Sequence, residues 1–464
     1  MWRSARILAI PAALGAAAVG AAQSSPTENF LRQQRLINDQ LTEQRQNMAP
    51  AEALVDWQWG GWIEYYVFHF DDGVQSSRLY QRPGLAVWSK LSIDDGAHEF
   101  FVRIRENYDR FKHGDQYDRR VDWDGPKFDR AWYEINLAKA LKLDADPLDA
   151  KFRVGRQAVL FGAGYALDLP LDAVTMDLHF GDWRINGLLG RTIPSLPNID
   201  RSAPVQDHSY RQMYGGQLTY EGFNRHRPFV YALWNNDKTD ERPQTPFQNY
   251  SYDTRYFGAG SQGEIAKNLT YWAEAVYEGG RSYGTRRYAA QSTVDAYGWD
   301  LGLEYRFEGP AEARLSGEYM FASGDGDRLF SPTNSGSNRF GKDTSFNGFG
   351  YRDTGISASP ALSNVHIWRL GGAARPLHEV EWLRDLEVGA NTFLYYKHHH
   401  RAAISDSTAD MFNGYVGWEF DTFLNWRIAS DLSWTVRYGA FFPGKAFSDR
   451  ETRHFVLTGV TWSF

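Results

Sequence analysis

From residue 57 to residue 464 the chain alternates apolar and polar positions with a period of two. In Trp299-Asp-Leu-Gly-Leu-Glu-Tyr-Arg-Phe307, the residues Trp299, Leu301, Leu303, Tyr305 and Phe307 share one face, while Asp300, Glu304 and Arg306 share the other. Leu432, Trp434, Val436, Tyr438 and Ala440 likewise oppose Ser433, Thr435 and Arg437, and Val416, Trp418 and Phe420 oppose Glu419 and Asp421. In the closing segment Val456, Thr458, Val460, Trp462 and Phe464 step along at the same interval. That period marks strands with one face in an apolar environment. About 18 such segments can be placed, including 57–70, 128–138 and 208–220, and the number is even, as a closed antiparallel barrel of the bacterial outer membrane requires.

The connections give an independent test. A barrel that starts in the periplasm should alternate long external loops with short internal turns. The odd connections include residues 108–127, 192–207, 236–251, 279–293, 323–363, 398–411 and 442–452; most even ones are short, such as Phe180-Gly-Asp-Trp183 and Ala429-Ser-Asp431. Two even connections, near 139–150 and 375–384, are longer. Outward positions are aliphatic in mid-strand and aromatic at the ends, which suits hydrocarbon between two interfacial belts. The predicted fold is all-β: a transmembrane antiparallel barrel with long extracellular loops and a short N-terminal helix.

Composition narrows the class. With 16% aromatic residues, 43 Gly, 23% charged residues and a net charge of −7, the chain is too polar for a helical membrane protein. Arg3 and Arg6 precede an apolar run over residues 7–22 that ends in small residues, so residues 1–22 read as a signal peptide cleaved near Ala22. The absence of cysteine excludes lipoprotein acylation and a disulfide framework. Residues 23–52 are Gln/Arg/Asn-rich, with Phe30, Ile37, Leu41 and Met48 near heptad spacing. They read as a polar periplasmic helix or a loosely ordered leader, which leaves residues 53–464 for the barrel.

The inward face carries Lys90, Arg103, Arg105, Glu134, Glu274, Glu304, Arg306, Arg314, Glu318, Glu387, Glu419, Asp421 and Arg437. A barrel of this width cannot be filled by side chains, so these charges face water. They can line a transport path, or pair across strands, Arg306 and Arg314 with Glu304 and Glu318 for example.

Several stretches resemble the alginate export family of outer-membrane porins: Phe-Arg-Val-Gly-Arg-Gln-Ala-Val-Leu-Phe-Gly (152–162), Gly181-Asp-Trp-Arg184, Gly302-Leu-Glu-Tyr-Arg-Phe307 with Met320-Phe-Ala-Ser-Gly-Asp-Gly-Asp327, and Phe349-Gly-Tyr-Arg-Asp353 with Leu362-Ser-Asn364. The resemblance implies a monomeric barrel of 18 strands, set in outer-membrane lipid, whose arginine-rich constriction draws an acidic exopolysaccharide outward, with periplasmic export machinery as a further partner. By position it implies Lys90, Arg103, Arg105, Arg153, Arg156, Arg306, Arg314 and Arg437 as the cations of that pore, among lumen acids such as Glu134 and Glu304. Guanidinium suits a polyuronate, since it offers each carboxylate a planar two-point partner at any physiological pH. Arg156 is the strongest carry-over. It shares the lumen with Arg153 only if Gly155 hosts a bulge.

The lumen holds nearly as many acids as bases, and the sequence leaves open how the signs are segregated. The late periplasmic turn near 427–431 is too short for a plug, and 323–363 is external by parity, so a gate is expected elsewhere, such as 24–50. Ser323-Gly-Asp-Gly-Asp327 could cradle Ca²⁺ through Asp325 and Asp327, but it lacks the bidentate Glu of the usual loop and also reads as a polar turn; no other cofactor is expected. His398-His399-His400 points to both sides of a strand end, which does not suit a metal. Asp207, His208 and Ser209 are adjacent in sequence and cannot converge as a catalytic triad, so no enzyme is expected. No nucleotide or nucleic-acid motif is present. The rivals are an uptake porin for small sugars or organic acids and a surface adhesin on the same barrel.

Overall fold

The computed structural model describes residues 55–71, 77–111, 122–143, 148–194, 199, 210–239, 251–282, 292–332, 338 and 341–464. The expected signal peptide (1–22), leader helix (23–52) and the Asp207-His208-Ser209 trio lie outside these residues.

The strands are β1 Val55–Asp71, β2 Arg78–Ile93, β3 His98–Phe111, β4 Asp122–Asn136, β5 Leu148–Phe161 and β6 Leu167–Phe180. They continue with β7 Trp183–Thr192, β8 Arg211–Tyr220, β9 His226–Asp237, β10 Asp253–Ala266, β11 Leu269–Ser282 and β12 Ser292–Arg306. The last are β13 Arg314–Ala322, β14 Val365–Ala374, β15 Leu386–Lys397, β16 Tyr415–Arg427, β17 Leu432–Pro443 and β18 Arg453–Ser463. All are antiparallel in one sheet of 18 strands, and β1 pairs with β18 to close it. At the seam, the Phe464 N–H donates to the Gly61 carbonyl (2.9 Å) and the Gly61 N–H to that of Phe464 (3.0 Å). Closure leaves no edge strand, which is what a sheet in lipid requires.

The alternation survives in three dimensions. On β1, Trp62, Glu64, Tyr66, Phe68 and Phe70 are buried toward the lumen, while Ile63 and Tyr65 are exposed on the outer face. Val456, Val460, Trp462 and Phe464 are also exposed there. Outward aromatics form two belts, with Trp57, Trp59, Phe180, Trp183 and Trp462 at the periplasmic end and Tyr214, Phe257, Tyr277 and Tyr297 toward the other.

Several boundaries differ from the pattern by a few residues, and the start of β4 differs by six. β4 begins at Asp122 rather than near 128, because bulges opposite Arg103/Ile104 and Arg105/Asn107 break its alternation. β8 begins at Arg211 rather than near 208. The two long even connections each hold a short helical turn. Leu137–Ala140 is capped by the Asn136 side chain, which accepts from the Lys139 N–H (3.0 Å), and Glu381–Leu383 forms a 3-10 turn.

The largest difference concerns the β13–β14 connection, which was expected to stay outside. It folds into the barrel and crosses it. Near its start in the lumen, Asp343 forms a parallel bridge to Val294 of β12. Phe349 then bridges Leu167 after the β5–β6 turn, with N–H···O bonds of 2.8 and 3.1 Å. Gly350 passes so close that a Cβ there would lie 2.0 Å from the Tyr165 carbonyl oxygen. Beyond it, Ile356 packs into the cluster of Tyr66, Phe68, Phe70, Tyr80, Phe455 and Leu457 on β1, β2 and β18. The expectation that the lumen is narrowed elsewhere is thereby corrected.

Candidate functional site

The lumen wall divides into two arcs of opposite character. On β11–β16 the inward side chains include Glu274, Glu278, Asp300, Glu318, Glu419 and Asp421, all buried. Their partners come largely from chain segments folded into the lumen. Glu419 accepts from the consecutive N–H groups of Ile356 (2.7 Å), Ser357 (2.6 Å) and Ala358 (2.7 Å). Glu278 accepts from the Asn347 N–H (2.7 Å), and Glu274 from those of Ala163 (2.8 Å) and Tyr165 (3.3 Å) in the β5–β6 turn. Gly355, at φ +95° beside Glu419, lets the main chain wrap the carboxylate.

Arg352 completes this side. It pairs with Asp300, and its Nη2 stands 3.7 Å from Glu274. Burial alone would weaken its hold on the proton, but Asp300 and Glu274 reverse that and raise its pKa, so it stays a cation. Arg328 and Asp343, both buried, form a two-point pair (3.0 and 2.6 Å) that fixes the start of the crossing segment.

The other arc runs from β17 through β1 to β5 and is rich in cations. Arg103 holds Asp129 at two points (2.9 and 2.8 Å) and lies 5.4 Å over the Trp62 ring. Arg82 reaches Asp109 (3.2 Å) and Asp124 (3.4 Å), Lys90 pairs with Glu99 (3.1 Å), and Arg153 pairs with Glu134 (2.7 Å) while covering the Trp132 ring at 4.1 Å. Arg105 and Arg437 also face the lumen. Among the described residues, neither has a carboxylate within ion-pair distance.

Of the cations expected in the pore, Lys90, Arg103, Arg105, Arg153 and Arg437 thus share one arc. Arg306 and Arg314 lie apart, near the periplasmic ends of β12 and β13. Arg306 pairs with Glu304 (2.7 Å), whereas Arg314 pairs with Glu387 (2.8 Å) on β15 rather than with a neighbour on β12 or β13. Glu318 pairs instead with Arg369 (2.9 Å).

Arg156 is a correction. Pairing continues without a bulge on both sides of Gly155, so Arg156 shares the outward face with Val154 and Leu160, whose side chains are exposed. It pairs there with Asp172 (2.8 Å). Gly155 has φ +132°, but that does not change the facing of its neighbours.

The remaining candidates have structural partners. Both Asp325 carboxylate oxygens accept main-chain N–H groups, from Asp327 (2.8 Å) and Thr344 (3.0 Å), and burial pushes its carboxyl upward. His398 accepts from the Gly324 N–H (3.1 Å), and burial beside His399 and His366 holds its pKa down to about 4, which suits a neutral acceptor. Among the described residues no three His, Asp or Glu side chains gather as a metal site. Sequence reasoning passed over Arg352, Glu278 and Arg82. Arg352 stood in the quoted Phe349-Gly-Tyr-Arg-Asp353 stretch, and the many lumen acids away from the cations signalled that donors had to come from somewhere.

Comparison with known proteins follows the same line. The sequence profile of one family, described as Alginate export, matches residues 68–457. No curated protein sequence matches the chain. Among solved structures, a BenF-like porin from Pseudomonas fluorescens Pf-5 is similar with a TM-score of 0.55 at 10% identity, covering 88% of this chain and 98% of that one. Pseudomonas aeruginosa OccK11 (OpdR) gives 0.53 at 12%, covering 88% and 96%. At such identity the likeness is one of fold.

Proposed function

This chain belongs to the alginate export family, and from that premise we propose that the outer-membrane channel it forms passes an anionic polysaccharide, a polyuronate, to the cell exterior as a monomer supplied by periplasmic export machinery. One observation carries the reading. The carboxylates of β11–β16 are engaged by main-chain N–H groups and Arg352, while Arg105 and Arg437 on the opposite arc have no ion pair among the described residues. The charges are therefore segregated around the lumen, and the surplus of positive field lies where a polymer can follow it.

The cations descend the wall in register: Arg82, then Arg105 opposite Ala86, then Arg103 opposite Trp88, then Lys90. Sites of similar kind in series let a polyanion advance without being trapped at one of them. Lys90 and Arg153 are oriented by their acids and stay part-exposed, so they meet a passing carboxylate with little loss of side-chain freedom, while the buried Arg82, Arg103 and Arg105 act through their field. A second reading, uptake of small organic acids, is favoured by the segment that crosses and narrows the lumen.

The test is current block in planar bilayers by a polyuronate, in wild type and Arg105→Glu/Arg437→Glu. Block in wild type that weakens at least about tenfold in the variant, with a neutral polysaccharide inert in both, supports the polymer reading. Block by small carboxylates alone would favour the small-solute porin, and no block by either would remove both readings.

A further inference from the structure

We propose that the outer face of β10 and β11 binds the phosphoryl groups of a lipid headgroup in the outer leaflet, through Arg255 and Arg281. Tyr252, Thr254 and Tyr256 are buried toward the lumen, so Arg255 shares the outward face with the exposed Phe257. On β11, Glu274, Val276, Glu278 and Ser282 point inward, so Arg281 shares the outward face with Tyr277. Register places Arg255 opposite Gly279, two residues short of Arg281. The two arginines are therefore diagonal neighbours, with backbones about 7–8 Å apart, and the residue between them has no side chain.

Their height fits a headgroup. Arg255 lies opposite Trp234, which stacks on Tyr214 (5.6 Å between ring centroids) and meets Phe257 edge-on (6.0 Å). Tyr277 lies opposite Tyr297. These rings mark the interfacial belt. Arg255 is one strand repeat beyond Phe257 and Arg281 two beyond Tyr277, roughly 7 and 13 Å along the strands, where polar headgroups replace hydrocarbon.

Their charge is available. Both side chains are exposed, and among the described residues neither has an ion pair. Of the acids on this face, one is ion-paired with a lysine and one is held by a main-chain amide. Asp295, opposite Gly279, pairs with Lys342 (2.6 Å), and Asp253, opposite Arg281, accepts the Asp237 N–H (2.8 Å). Two guanidinium forks over a glycine gap suit a phosphate monoester, whose several oxygens can bridge both. A polymer in transit runs inside the barrel and does not reach this face.

The test uses the full chain in neutral detergent and native mass spectrometry. Three probes are titrated: a bisphosphorylated glycolipid (lipid A), its dephosphorylated form and inorganic phosphate. The expected result is lipid A binding to wild type that weakens at least about tenfold in Arg255→Gln/Arg281→Gln, the loss expected for two charge-assisted contacts. The dephosphorylated form should bind weakly and equally to both proteins, and channel conductance should be unchanged. Equal lipid A binding by both proteins would overturn the proposal, as would displacement of lipid A by inorganic phosphate at matching concentration. If the double variant does not fold, Arg281→Gln at the strand end should still lose at least about threefold, and no loss there would also overturn it.

Discussion

The acidic arc of β11–β16 and the cationic arc of β17–β5 both turn ionised side chains into the lumen, but their partners come from different distances along the chain. Glu419 is bonded by three amides some sixty residues away in sequence, delivered together by one crossing segment. Arg103 meets Asp129 of the next strand. Carboxylates can be satisfied by main-chain N–H groups, so a loop without conspicuous side chains can cover an acidic wall; the ion-paired cations of the other arc take acid side chains, and the neighbouring strands supply them. The acidic arc should therefore loosen as a unit and the cationic arc one pair at a time.

The largest expected effect is at Arg352. Arg352→Ala leaves buried Asp300 without its guanidinium and should cost about 3–5 kcal/mol in denaturant unfolding of the refolded barrel. A loss below about 1 kcal/mol would show that the segment is held without that pair. Glu419→Ala comes next. With three amides stripped of their acceptor, hydrogen exchange at Ile356, Ser357 and Ala358 should speed up about 100-fold, equivalent to roughly 3 kcal/mol of local stability; unchanged protection would mean the segment is fixed by packing alone.

Arg103→Ala removes one local pair, and Asp129 keeps Arg105 as a nearby cation. A cost of about 1–3 kcal/mol is expected, additive with that of Arg352→Ala because the two lie on different arcs. Strong coupling between them would merge the arcs into one network. The smallest effect belongs to Arg156→Glu, which changes an outward side chain. Its zero-current potential under a salt gradient should match that of wild type, and a shift like that of Arg105→Glu would return Arg156 to the lumen.

The strand ladder was legible in the sequence because each strand carries its own period of two, and lipid enforces that period on the outer face. The facing of Lys90, Arg103, Arg105 and Arg437 followed from it directly. Arg156 was carried into the lumen by the family resemblance, on condition of a bulge at Gly155, and a bulge depends on pairing with neighbouring strands that no single segment encodes. The start of β4 was hidden by Gly125-Pro126 and the adjoining bulges. The crossing segment was least legible: residues 341–364 are rich in Gly, Ser and Asn with no period, and their course is set by distant acids on β11, β12 and β16.

The most direct test of the central claim is the zero-current potential across a planar bilayer under a salt gradient, for the intact chain and for one in which residues 343–358 are replaced by a short Gly/Ser linker. Anion preference in the intact chain is expected, with higher conductance and a shift toward cations in the shortened one as Glu278, Glu419 and Asp421 are uncovered and Asp300 loses Arg352. The same potential in both would contradict the claim that the crossing segment neutralises the acidic arc and leaves the path cationic.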